Sequence, residues 1–246
     1  MNNQIVTSPL TNPSALPLVS IESIAQSPVL VVAPHPDDET LGCGGALALL
    51  NSLNCDVRVL VVSDGTRSHP RSLKYPAPKL QKLRESETLA ALNLLGLDAK
   101  NVTFLGLQDG SVSTEYQTAI TNCCTYLTQI NPQIIFLPWR YDPHPDHRGS
   151  WQLINTALSS LSQNPKIIEY PIWDWDEQQR GNVPESAKIK CWRLDISTVV
   201  EMKQRAISAY RSQITDLIDD DPEGFRLTPE MLANFARPWE VYIQII

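Results

Sequence analysis

Pro28-Val-Leu-Val-Val-Ala33 is a short, continuous apolar run rich in β-branched residues, and Pro34-His35-Pro36-Asp37-Asp38-Glu39 follows it without a break. An apolar run of this kind suits a strand covered on both faces, as in a parallel sheet flanked by helices. Residues 40–51 are rich in Gly, Ala and Leu and read as a helix whose early glycines permit close packing on the sheet. Residues 57–63 read as a second buried strand, ended by the turn pair Asp64-Gly65. The alternation continues with a helix over 79–95 stopped by Gly96, a strand over 102–107, a helix over 114–130 and a buried strand over 133–137. Beyond these, 149–162 and 198–214 read as helices, and 166–173, 191–196 and 241–246 as extended. Strands separated by helices need crossover connections, so the fold class is α/β: a mostly parallel central sheet between two helical layers, in a single domain.

The 246 residues, 42% of them hydrophobic, are enough to bury a full core. Twenty basic against 27 acidic residues give a net charge of −7 with no basic patch, which disfavours nucleic acid and anionic lipid as partners. Five cysteines without CxxC spacing fit reduced, mostly buried thiols and a cytoplasmic location. No basic-then-apolar leader and no apolar run of roughly eighteen residues occurs, so neither secretion nor membrane insertion is expected. Residues 1–27, rich in Asn, Ser, Thr and Pro, read as a loosely ordered arm ahead of a domain spanning 28–246. Residues 176–190 and 216–237 read as long loops able to cover a site, and association between copies of the chain is left open.

In open parallel sheets, ligands bind beyond the carboxyl ends of the strands, so polar clusters directly after buried strands are where chemistry belongs. One such cluster is His35 to Glu39; the other is Asp142-Pro143-His144-Pro145-Asp146-His147, and together they hold three of the four histidines in the chain. Imidazole and carboxylate together suit zinc and related divalent ions, for which a catalytic site offers three protein ligands and an open position. His35 and Asp38 are three apart, as are His144 and His147, so each pair can face a common point. Adjacent Asp37 and Asp38 diverge, which lets one hold a metal while the other acts as a base. The competing reading is a pair of Pro-Asp turns carrying surface histidines.

VLVVAPHPDDETLGCGG together with DPHPDHRG resembles the family of zinc-dependent deacetylases that includes phosphatidylinositol N-acetylglucosamine de-N-acetylase (PIG-L) and the LmbE-like bacterial proteins. Further similar pieces are Arg84-Glu85-Ser86-Glu87, Leu95-Gly96, Lys203, Ala206 and Ser212-Gln213. The resemblance implies a Rossmann-like fold, Zn2+ (with Fe2+ or Co2+ as substitutes) held by His35, Asp38 and His147, and Asp37 as general base. It also implies that His144, as imidazolium, stabilises the oxyanion or protonates the leaving amine, with Asp146 orienting or charge-balancing it. Glu39 is either a participant or a support for the following helix N-terminus. The implied activity is removal of acetyl from an N-acetylglucosamine-type sugar or small glycoconjugate. A metal-dependent amidase on a non-sugar or thiol-conjugate substrate, a non-catalytic glycan-binding protein and a metal phosphoesterase are the alternatives.

For substrate contacts, Arg67, Trp139 and Tyr141 are chosen, the two aromatics ahead of Trp173 and Trp175 because they adjoin the second histidine motif. His69 reads as an exposed loop histidine, Cys43 as a buried structural thiol, Gly42 to Gly45 as a close-packing device, and Asp219 to Asp221 as a solvated turn.

Overall fold

The structure is a computed structural model that describes residues 9–112, 116–178, 180, 183–184 and 187–246. In chain order its elements are β1 (Leu18–Val19), β2 (Val29–Ala33), α1 (Asp38–Ser52), β3 (Val57–Ser63), α2 (Ala77–Leu94), β4 (Val102–Leu107), α3 (Tyr116–Ile130) and β5 (Ile134–Pro138). Then come α4 (Pro145–Leu161), β6 (Lys166–Tyr170), β7 (Ile189–Asp195), α5 (Val200–Ile207), α6 (Arg211–Ile214), α7 (Pro229–Ala233) and β8 (Trp239–Ile245). One sheet of eight strands has the order β1-β7-β8-β6-β5-β2-β3-β4. All pairings are parallel except those of β8 with β6 and β7, so the mostly parallel sheet expected from the crossovers is present.

Every residue of β2 and β5 is buried, as their unbroken apolar runs require. Alternate residues feed two cores. Val29, Val31, Val59 and Phe136 pack with Ala46, Leu47 and Leu50 of α1 and with Ala206 of α5. Leu30, Val32, Leu60 and Ile135 pack with Cys123 and Leu127 of α3 and Ile154 and Ala157 of α4. This is the three-layer arrangement. The early glycines of α1 work by absence: a Cβ at Gly42 would fall 2.3 Å from the Tyr170 ring, and one at Gly45 2.5 Å from Ile196 Cγ2. Cys43 lies between them in the core, away from the polar site.

Five expectations are corrected. Residues 9–27 are not loose: Leu18 and Val19 pair with Arg193 and Leu194 of β7, and Leu10, Ile21 and Ile24 are buried. Residues 1–8 lie outside the described residues. The helix expected over 198–214 breaks into α5 and α6 around Tyr210, whose hydroxyl turns inward onto Glu39 and Thr40. The helix expected from 149 starts at Pro145, because proline suits the first helical position and His144 caps it through Nδ1. His69 is buried rather than exposed, packed under Gly224. The aspartate run is a latch, not a free turn: Asp220 accepts from the Leu73 and Lys74 N–H groups at 2.8 and 2.9 Å, and buried Asp221 pairs with Arg71. Among the described residues no helix is long and apolar enough to cross a membrane.

Candidate active site

β2 has β3 on one side and β5 on the other, so the sheet order reverses there and a crevice opens beyond the carboxyl ends of β2 and β5. The two histidine motifs leave those two strand ends, which is why residues more than a hundred positions apart converge. His35 Nδ1 and His147 Nε2 each lie 3.2 Å from the same oxygen, Asp38 Oδ2. The edge of a tetrahedron built on zinc bonds of 2.0–2.1 Å is about 3.3 Å, so these three donors are spaced as ligands of one ion would be. Both ring nitrogens of His147 are buried and neither makes a well-directed hydrogen bond, although carboxylates stand close by. A cation between them would satisfy that geometry. His144 joins the same group of rings, its centroid 4.8 Å from His35 and 5.1 Å from His147.

Asp37 is held apart from this set. Its φ of 137° is a conformation that non-glycine residues adopt only when their surroundings over-determine it. Arg84 supplies part of that constraint, donating to Asp37 Oδ2 at 3.0 Å, Pro36 O at 2.6 Å and Gly65 O at 3.0 Å. Glu39 supplies another part: fully buried, it accepts from the Asp37 N–H and the Tyr210 hydroxyl and lines neither of the cavities described below. Glu39 therefore supports the loop. Burial pushes the Asp37 carboxyl up to about 8 against the pull of Arg84, with Asp38 adding to the rise. Burial would raise Asp38 too, but His147 and His35 hold it well below the usual carboxylate range. One carboxylate of the pair is thus kept ionised, and its neighbour is poised near neutrality.

Two aspartates with no assigned role complete the surroundings of the histidines. Asp142 Oδ2 stands 3.3 Å from His147 Nδ1, while its carboxylate also accepts the His144 and Trp173 N–H groups. Asp109 Oδ1 is 3.3 Å from His35 Nε2. Asp109 follows β4 as His35 follows β2, so a search after every strand end would have found it. Asp146 has a wider set of contacts than its expected role required: its carboxylate accepts from Gly110 N–H at 2.6 Å and faces His35 Nε2 at 3.3 Å, its charge acts on the His144 ring, and its backbone N–H donates to His144 Nδ1. Burial, with His35 and His147 adding to it, lowers His144 to about 4, and because its Nδ1 accepts the Asp146 N–H, Nε2 is the atom able to carry a proton toward the cavity.

Two cavities meet at this cluster. The polar cavity, of about 310 Å³ and so named because most of the residues around it carry polar groups, is lined by His35, Asp37, Arg67, Asp109, His144 and Gln213 among others, which places Arg67 beside the site. A more apolar one of about 420 Å³ shares Asp37 with it and also reaches Asp38. Trp173 and Phe225 belong to both, 5.5 Å apart, and Trp173 stacks on His144. The expected aromatic wall is reversed: Trp139 is buried with Val183 and Ile243, Tyr141 packs edge-on against it, and neither lines these cavities. A side chain closed in by core residues has no face left for a ligand. Phe225 reaches the site because the 219–225 segment is latched down, with Phe225 N–H donating to Ser68 O.

The remaining similar pieces hold the scaffold. Lys203 forms a buried pair with Glu240 at 2.7 Å, and Glu240 also accepts from the Gly45 and Ala46 N–H groups of α1. Glu87 accepts from the Ser212 N–H and hydroxyl, tying α2 to α6.

Fold and site together define an α/β protein with a buried His/Asp cluster able to hold a divalent cation beside a separate carboxylate. Residues 30–158 match the family model described as PIG-L, GlcNAc-PI de-N-acetylase, and the chain belongs to that family. A curated relative, "Probable N-acetyl-alpha-D-glucosaminyl L-malate deacetylase 2" of Bacillus anthracis, is 25% identical over 87% of this chain and 94% of its own length. Among solved structures, the N,N'-diacetylchitobiose deacetylase from Pyrococcus horikoshii superposes with a TM-score of 0.63 at 23% identity, covering 96% of this chain and 86% of that one. The 4-carboxy-2-hydroxymuconate hydratase GalB from Pseudomonas putida KT2440 also shares the fold, with a TM-score of 0.54 at 21% identity over 76% and 80% of the two chains. A shared fold therefore does not by itself fix the reaction.

Proposed function

We propose that the protein is a zinc-dependent hydrolase that removes acetyl from the amide nitrogen of an N-acetylglucosamine-type sugar or small glycoconjugate. The observation that carries this reading is the convergence of His35, His147 and Asp38 at 3.2 Å beside an independently clamped Asp37. Family membership and the N-acetylglucosaminyl relative support the choice of substrate class.

His35, Asp38 and His147 would hold the ion; five buried aspartates around three histidines and Arg84 give the site the negative surplus a dication needs. When bound, zinc supplies a Lewis acid that lowers the pKa of water and polarises the amide carbonyl. Asp37 takes the proton from the attacking water, and its elevated pKa suits a base working near neutral pH. His144 donates from Nε2 toward the developing oxyanion, a contact of the kind worth about 3–4 kcal/mol elsewhere. Asp37 then returns its proton to the departing amine. Hydroxyls of the sugar face the polar cavity, where Arg67 is available for an anionic group on the aglycone.

Zinc-loaded protein should release acetate from N-acetylglucosaminyl conjugates and lose that activity on chelation. Activity that survives exhaustive metal removal, or turnover of N-acyl amino acids with every N-acetyl sugar ignored, would overturn the reading.

A further inference from the structure

A deacetylase needs room for one methyl group on the acyl side of its scissile bond, and this site has far more. The apolar cavity of about 420 Å³ starts at Asp37 and Asp38 and runs between Leu41, Ile172, Trp175, Leu227, Met231 and Phe235. A methyl group is about the size of a water, whose share of liquid volume is roughly 30 Å³, so acetyl would leave the cavity almost empty. The floor comes from three separate parts of the chain: the first turns of α1, the segment after β6, and the 225–235 segment carrying α7. That last segment is tied at its start by Phe225 N–H on Ser68 O and Leu227 N–H on Gln213 O at 2.8 Å.

We propose that this cavity binds the acyl chain of the amide, so that the enzyme's substrates include N-acyl glucosamine derivatives with neutral, unbranched chains longer than acetyl. The inference rests on the deacylase reading above. Orientation follows from the two cavities. Sugar hydroxyls require hydrogen-bond partners, which Arg67, Ser68, Asp109 and Gln213 provide on the polar side. With the sugar there and the carbonyl carbon between Asp37 and the His/Asp cluster, the acyl substituent passes the Trp173–Phe225 divider into the apolar side. Asp176, Glu177 and Glu230 belong to that cavity's lining, and no basic side chain does among the described residues, which selects against chains ending in a carboxylate. A chain of about six to eight carbons, at roughly 30 Å³ per group, fills about half the volume. The reaction is ordinary amide hydrolysis: water adds to the acyl carbon, the C–N bond breaks, the water proton passes through Asp37 to the amine, and a carboxylate and a free amino sugar leave.

The test uses zinc-loaded full-length protein and one glucosaminyl aglycone carrying N-acetyl, N-butyryl, N-hexanoyl or N-octanoyl, with release of the free amine as the readout. kcat/KM should rise about fourfold per added methylene, the value of burying one CH2, until the cavity is full. Met231→Trp, which narrows the cavity away from the cluster, should lower the hexanoyl-to-acetyl ratio by at least tenfold. A fall in kcat/KM from acetyl to butyryl, or an unchanged ratio in Met231→Trp, overturns the proposal. So does a chain-length gain that follows alkyl groups on the aglycone instead of the acyl group. If no N-acyl sugar is cleaved, acetyl included, the deacylase reading fails first and this one with it.

Discussion

Removing the cation behind Asp37 should move the acid limb of the activity profile to higher pH. Arg84 and Asp37 are both buried, with Nη2 3.0 Å from Oδ2, so the guanidinium favours the ionised carboxylate across little screening. An opposite charge within about 4–6 Å lowers a carboxyl by about 1–3 units. Asp37 stands at about 8 with Arg84 in place, so Arg84→Met should raise it by that amount, to roughly 9–11. The sign is fixed by chemistry: without the cation the protonated acid is favoured, the base is lost at neutral pH, and it returns only as pH rises. A bound dication lowers Asp37 in both proteins, so the difference between them survives metal loading. On the acid limb, below the Asp37 pKa of the metal-loaded parent, the deprotonated fraction, and kcat/KM with it, should drop about 10- to 1000-fold. Arg84→Lys keeps the charge but loses the fork that also holds Pro36 O and Gly65 O, so it should lose rate with little movement of the limb. The assay is kcat/KM against pH on metal-saturated protein, with metal per chain measured on the same samples. A uniform loss at every pH, with the limb unmoved in Arg84→Met, would mean that Arg84 serves only to shape the loop.

Asp38→Asn should weaken metal binding, whereas Asp37→Asn should retain the metal and lose about two to four orders of magnitude in kcat; equal metal loss in both variants, by elemental analysis, refutes that separation of roles. In metal-free protein the raised pKa of Asp37 contributes stability that is complete below its ordinary value of 3.8 and is lost as pH rises toward about 8. Asp37→Asn should therefore gain on the parent across that window in denaturant titrations, and parallel curves would contradict the burial argument. Gly45→Ala sets a methyl 2.5 Å from Ile196 Cγ2 and should destabilise by about 1–3 kcal/mol despite alanine's better helix propensity, read as a lower denaturation midpoint. A midpoint at or above that of the parent would show that α1 can shift away from Ile196.

Legibility in the sequence follows the range of the forces involved. Periodicity and apolar runs are local signals, so β2, β3, β4 and β5 were readable to within a residue, and the polar motifs after β2 and β5 pointed to the crevice that the strand order creates. The spacing of His35 with Asp38 and of His144 with His147 is local too, and it marked the residues that the fold brings together. What the chain could not reveal alone was which distant group lies behind each of these. Arg84 beneath Asp37, Asp109 against His35 and Tyr210 on Glu39 are contacts between separate elements, set by how α2, β4 and α6 settle on the sheet. The same reason reverses the aromatic assignment. Trp139 adjoins the motif in sequence, but the backbone turns it into the core, whereas Trp173 and Phe225 arrive from elsewhere and form the wall between two cavities. Sequence thus determined the chemistry available at the strand ends, because side-chain type and local spacing are written there. Tertiary packing decided protonation, orientation and room, because burial and long-range contacts exist only once the layers have closed.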